Sequence, residues 1–173
     1  MKTLSIASRL KLGFTAITVA FLVLATLTVW RIEQASSAVQ QMQIETEWLQ
    51  LAGRWQANLR QNSARSLAVA YSDDPGIQEL FNQGMTAVTT ETTEIQKKFS
   101  TEVQDDATKK LLGAIGEIRK TYLGTRDQIN ALKAAGDSAG AKALVQSKYV
   151  PATNDYLRVT QELVDGQLEK VKV

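Results

Sequence analysis

Cysteine and histidine are both absent from the 173 residues. That removes a thiol nucleophile, an imidazole base and any Cys/His zinc site. It leaves the redox compartment open, because a cysteine-free chain is compatible with an oxidising periplasm without requiring one. Proline is nearly absent too, with only Pro75 and Pro151. A chain rich in Ala, Leu, Gln, Glu, Lys and Thr with two prolines favours long helices, since little in it breaks them. A strong excess of charge is also missing. The net charge is +2 and the basic residues are scattered along helical faces, which argues against nucleic-acid binding. No paired-carboxylate spacing, Gly-rich phosphate loop or nucleophile elbow occurs, so no enzyme, cofactor or metal site is expected.

What is present suits one modest domain plus one membrane segment, at 44% hydrophobic and 22% charged residues. Residues 1–11 form a basic leader carrying Lys2, Arg9 and Lys11. Residues 12–30, "LGFTAITVAFLVLATLTVW", are nineteen uncharged positions. At about 1.5 Å per residue they span a bilayer core of about 30 Å. Trp30 stands at the far edge, where interfacial aromatics lie, and Arg31 and Glu33 end the run. The positive-inside bias puts the leader in the cytoplasm and residues 31–173 outside. A cleaved signal peptide is the alternative. The apolar run is longer than the usual signal core, and the small-residue cluster at Ala35 to Ala38 is weak.

Four helices follow from the apolar periodicity and the breaks. The first runs on from the membrane segment to Tyr71, an arrangement suited to carrying mechanical displacement. Ser72-Asp73-Asp74-Pro75-Gly76 breaks it, with Asp74 as a cap and Pro75 at the first position of a second helix reaching Thr101. A third helix covers about Asp106 to Ala134. Gly136 then serves as a C-cap and Asp137 as the N-cap of a fourth, which starts near Ser138 and is kinked by Pro151. One seam of the fourth helix reads Ala143, Ser147, Val150, Asn154, Leu157, Gln161, Val164, Leu168 and Val171. Short connections give an all-α, antiparallel up-down-up-down four-helix bundle, its first helix continuous with the transmembrane helix. The helical pattern still runs at Val173, so a second span and a cytoplasmic part are expected beyond it.

The informative stretch is Trp48 to Tyr71. A seam taken at alternating spacings of three and four reads Ile44, Trp48, Leu51, Trp55, Asn58, Asn62, Arg65, Val69. Three successive inward positions are polar, one of them charged. An unpaired charge in a helical core costs several kcal/mol, about the scale at which a protein keeps it only if something fills the lapse. Matching levels across the loops sets Asn58, Asn62 and Arg65 beside Gly84–Met85, Tyr122, Thr125, Arg126, Ser147 and Tyr149, with Thr86 and Thr89 slightly nearer the membrane. That convergence suits a small carboxylate: Arg grips it bidentately, and amides and hydroxyls fix the rest. The candidate ligand residues are Arg65, Arg126, Asn58, Asn62, Tyr149, Thr89 and Arg60. Against this stand internal pairing of Arg65 with Glu91, Asp127 or Asp155, a solvated Arg60, and a Thr cluster that only packs.

The leader, the single span and the bundle, together with the run "YLGTRDQINALKAAGDSAGAKALVQSKYVPATNDY", resemble the N-terminal half of a bacterial methyl-accepting chemotaxis protein. The resemblance implies a sensor domain in the periplasm, anchored in the inner membrane. It also implies a homodimer, a small carboxylate or amino-acid ligand, and a helix shift that reaches a cytoplasmic kinase and adaptor through the missing C-terminal part. Aspartate and serine receptors of this family carry three arginines spaced five then four on the first helix, gripping ligand across the dimer interface. Here Arg60 and Arg65 keep the spacing of five, and Val69 takes the third place. Arg126 points instead to a pocket inside one bundle, as in relatives that take di- or tricarboxylates. The alternatives are the sensor domain of a histidine kinase or cyclic-dinucleotide enzyme, or a structural or protein-interaction bundle without a small ligand.

Overall fold

The computed structural model describes residues 6–74 and 76–172. Lys2 of the basic leader, Pro75 and Val173 lie outside them. The helices are α1 Ile6–Tyr71, α2 Gly76–Glu102, α3 Asp106–Ala134, α4 Ser138–Leu144 and α5 Val150–Val171, with a π-helical turn Val145–Tyr149 joining the last two. Counting α4, the π-turn and α5 as one, these are the four helices the periodicity predicts. The chain divides into two units, Met1–Ile44 and Glu45–Val173.

In the first unit α1 is the one helix, among the described residues, long and apolar enough to cross a membrane. Phe14, Ile17, Phe21, Leu24, Leu27 and Trp30 are all exposed along it, as a lipid-facing surface requires.

The second unit is the bundle. Its core holds Trp55, Phe99, Ile115, Ile129, Val145, Tyr149, Tyr156 and Leu163. Trp55 donates its indole N–H to the Tyr156 hydroxyl at 2.7 Å, so this large side chain buries fully without stranding its donor. Phe99 packs against Trp48 and Trp55, with ring centroids 4.8 and 6.2 Å apart.

The breaks follow local chemistry. The Asp74 carboxylate accepts from the Gly76 N–H at 2.8 Å. Asp105, one residue before the expected start of α3, caps it by accepting from the Thr108 N–H at 2.8 Å. α3 ends in a Schellman motif, in which Asp137 N–H reaches Leu132 O and Gly136 N–H reaches Lys133 O. Gly136 sits at φ 79°, a conformation that costs a glycine little. Pro151 does perturb the fourth helix, through the turn before it rather than by a simple bend. The Val150 N–H reaches back five residues to Val145 O. A widened turn relieves the crowding of the proline ring on the carbonyl four residues earlier.

The seam expected for the fourth helix is corrected. Ala143, Ser147, Asn154, Gln161 and Leu168 are exposed. The buried face instead runs through Ala141, Val145, Tyr149, Ala152, Tyr156, Val159, Leu163 and Gln167. Tyr and Gln read as surface residues in a sequence, but here their apolar bodies pack inward.

Asp105 also carries a pH response. Partial burial pushes its carboxyl up, but the Lys170 ammonium, at 2.7 Å, and the Thr108 donors outweigh this and hold it at about 2. The native value lies below the unfolded one of about 3.9, so the stabilisation is present above that value and is lost as pH falls toward 2. In chemical denaturation, Asp105→Asn should be less stable than wild type at pH 6, with the difference vanishing near pH 2. A pH-independent difference contradicts this. Asp105→Ala also removes the cap and should cost about 1 kcal/mol.

Candidate functional site

Asn62 faces α2 from α1 and is 4% exposed. Its amide Nδ2 donates to Met85 O at 3.0 Å and to Thr89 Oγ1 at 3.2 Å, so the level matching of Asn62 with Met85 holds. Thr89 Oγ1 donates to Met85 O at 2.7 Å and accepts again from Arg126 Nη1 at 3.2 Å. One α2 hydroxyl thereby ties α1 to α3. Thr89 can do this because it is a helical threonine, whose hydroxyl bonds the carbonyl four residues back and keeps both lone pairs for neighbours.

The Arg126 side chain is 16% exposed, and its ion pair is weak. Nη2 meets Asp127 Oδ1 at 3.4 Å, and Asp127 is 67% exposed. Arg126 Nε is buried with no partner, as is Asn62 Oδ1. The guanidinium is thus fixed through Nη1, while its Nε–Nη2 edge, the one that matches a carboxylate in bidentate geometry, has no strong acceptor.

A cavity of about 210 Å³ opens beside this cluster, between α2 and α3. Val69 of α1 lines it together with Met85, Thr86, Thr89, Arg126 and Asn130. Among the described residues, no carboxylate lines it.

The other candidates stand elsewhere. Asn58, 8% exposed, donates to Glu91 at 3.0 Å, and Glu91 also pairs with Arg54 at 2.7 Å. Asn58 and Asn62 share with Arg119, Tyr122 and Tyr156 a chamber of about 20 Å³, room for about one water. The half-buried Arg65 lies over Gly84. A Cβ at Gly84 would stand 3.2 Å from Arg65 Nη1, so the missing side chain is what admits the guanidinium. Arg65 pairs with none of the three acids considered for it: Glu91 takes Arg54, Asp127 lies by Arg126, and Asp155 is 3.9 Å from Arg158. Arg60 is exposed.

Tyr149 belongs to a buried tyrosine cluster. Its hydroxyl donates to Tyr122 OH at 3.1 Å, which also accepts from Ser63 at 3.4 Å. Burial pushes Tyr149 and Tyr156 well above the ordinary tyrosine value, so both stay neutral. Asn62, Thr89 and Arg126 are therefore brought together by hydrogen bonds, and Asn58 adjoins them through the small chamber that Asn62 and Thr89 also line, while Arg65, Arg60 and Tyr149 are not part of that cluster.

Arg119 escaped the sequence reading. It donates to Gln96 Oε1 at 2.5 Å and Thr93 Oγ1 at 2.7 Å, again neutral acceptors on α2. Its position seven residues before Arg126, on the same face of α3, was the available signal.

A family model for the four helix bundle sensory module for signal transduction matches residues 3–172. The chain belongs to this family. It is the sensory bundle of methyl-accepting chemotaxis proteins, as the sequence resemblance implied, and the family is sensory rather than enzymatic. No curated protein is similar enough to the chain to be matched. The sensory module and the candidate membrane helix together fit a membrane-anchored receptor. Within such a module, a polar cluster joining three helices beside a cavity is where a ligand could bias helix packing.

Thr89→Val should destabilise the bundle by about 1–3 kcal/mol, because it strands an Arg126 donor and half of the Asn62 amide. Thr90→Val, at an exposed position, should stay within about 0.5 kcal/mol. Equal, small losses in urea denaturation would contradict the role given to Thr89.

Proposed function

We propose that this sensory module binds a small organic acid in the cavity between α2 and α3, with Arg126 as its anchor. The observation carrying this reading is a largely buried guanidinium, held at Nη1 by Thr89 and facing only an exposed Asp127 at its other edge. A carboxylate entering the cavity would take the Nε–Nη2 edge and displace Asp127. Charge-assisted bidentate pairing in a partly dry site is among the stronger polar contacts available. Thr89 then acts as a positioning residue, because its hydroxyl is already spent on Met85, Asn62 and Arg126.

The signal in this reading is a change in helix packing. A ligand bridging α2 and α3 favours whichever arrangement it binds better, and only its differential affinity moves the equilibrium. Tyr122 lies one turn before Arg126 on α3 and meets Ser63 of α1 and Tyr149 of the π-turn. A displacement of α3 would thus be felt by α1 and by the fourth helix. We place the module in the periplasm of an inner-membrane receptor that works as a homodimer and reports to a cytoplasmic kinase and adaptor. This placement rests on the family, the uncharged run 12–30 and the basic leader.

A second reading puts the acid on α1, at Arg65, where it lies over Gly84 of α2, with the exposed Arg60 five residues before it. It is favoured by the buried, unpartnered Nη1 of Arg65.

Calorimetric titration of the full chain in nanodiscs with small carboxylates separates the two readings. Arg126→Leu should abolish saturable binding, lowering affinity at least about a hundredfold, while helical content and melting stay cooperative. Binding that survives Arg126→Leu and is lost on Arg65→Leu would overturn the cavity in favour of the α1 face.

A further inference from the structure

We infer that the acid taken by this cavity is a hydroxylated monocarboxylate, a small hydroxy acid or sugar acid, rather than a dicarboxylate or an amino acid. The inference rests on the acid-binding role proposed for Arg126 and deepens it.

The cavity wall offers one cation, Arg126, and, besides Thr89, five neutral polar side chains, Gln78, Asn82, Thr86, Thr90 and Asn130. Among the described residues none of these five spends its side chain on a hydrogen bond within the chain. The threonines make the point best. Thr89, Thr92 and Thr93 of α2 all return their hydroxyls to the carbonyl four residues back. Thr86 and Thr90, the two others that line the cavity, do not. Gln78, Asn82, Thr86 and Thr90 recur at spacings of four. They form a polar ladder along one side of α2, with Asn130 one turn beyond Arg126 on α3.

Amides and hydroxyls each donate and accept, which is the pattern an alcohol needs. Gln78, Asn82, Thr86 and Thr90 are exposed, and a second carboxylate beside them would gain no charged partner, only neutral groups. An amino-acid ammonium would share a small cavity with a guanidinium and, among the described residues, no lining carboxylate. Asp127, the acid beside Arg126, is exposed and already faces the guanidinium, while Asp73 and Asp74 line an adjoining recess that shares Val69 and Gln78 with the cavity and are engaged there. Asp73 lies 3.4 Å from Lys142, and Asp74 caps α2 through Gly76.

The test is titration of the full chain in nanodiscs with glycerate and gluconate against propionate, succinate and serine. Glycerate or gluconate should bind at least about tenfold tighter than the other three, because propionate and succinate lack the hydroxyl that a site built for hydroxyls requires and serine brings an ammonium beside the guanidinium. Asn82→Leu and Asn130→Leu should bring glycerate to within about threefold of propionate, with Arg126→Leu losing both. Succinate or serine binding tenfold tighter than glycerate, still dependent on Arg126, would overturn the ligand class and leave the acid site standing. No saturable binding of any of the five would overturn the acid site, and this inference with it.

Discussion

A guanidinium four-fifths withdrawn from water has to be surrounded by acceptors, and along the α2–α3 seam those acceptors are neutral apart from the exposed Asp127, 3.4 Å from Arg126. Arg126 is held by the Thr89 hydroxyl, and Arg119 by Gln96 and Thr93. Glu91, on the same helix, turns instead toward Arg54 and Asn58. Neutral acceptors orient an arginine without neutralising it. The seam therefore carries positive charge that the bundle offsets only weakly, through the exposed Asp127. A bundle selected only for stability has little reason to keep such a cation, since a well-packed apolar pair of similar size is often as stable. The distribution of charge, more than the shape of the cavity, is what gives this wall a binding character.

The packing of α2 places this character where the bundle is softest. Among the described residues of α2, those fully buried are Thr92, Ile95 and Phe99, all in its C-terminal half. Phe99 is locked between two tryptophans. The other half, from Gly76 to Thr90, carries Phe81, Met85, Val88 and Thr89 only half-buried. Segments with little buried apolar area open at low free energy, and binding sites that must respond to ligand are drawn from them. On the opposite side, α1, α3 and the π-turn are tied by Ser63, Tyr122 and Tyr149, a buried network with neutral hydroxyls. A firm face and a yielding face share α3, which is the geometry a sensory bundle needs if a ligand is to shift one helix against the others.

The helices and their breaks were legible because they rest on local chemistry. Capping aspartates at 74 and 137 and a glycine at 136 mark boundaries that hold to within a residue or two. The inward turn of Asn58 and Asn62 was legible too, as a lapse in an apolar seam. What the sequence hid is where long side chains end. The backbone position of Arg65 points to the core, and its guanidinium lies over Gly84 of α2 with Nη1 buried and, among the described residues, no acid paired with it. Arg126, one step off the seam, is the one that reaches Thr89. The face of the fourth helix was misread because Tyr149, Tyr156 and Gln167 carry polar atoms, and periodicity does not reveal that Tyr122 and Trp55 would meet two of them. The Gln78–Asn82–Thr86–Thr90 ladder was visible as a spacing of four. Its meaning required knowing which side of α2 faces α3.

The central claim is that the Nε–Nη2 edge of Arg126 is the group that meets the ligand. The most direct measurement is the proton and nitrogen resonance of each arginine Nε–H in the full chain, followed as a small carboxylate is added. The account predicts that the Arg126 Nε–H moves downfield saturably and exchanges more slowly with water, while that of Arg119 stays in place. An acid that binds saturably while the Arg126 signal is unmoved, or while Arg65 alone responds, would contradict it.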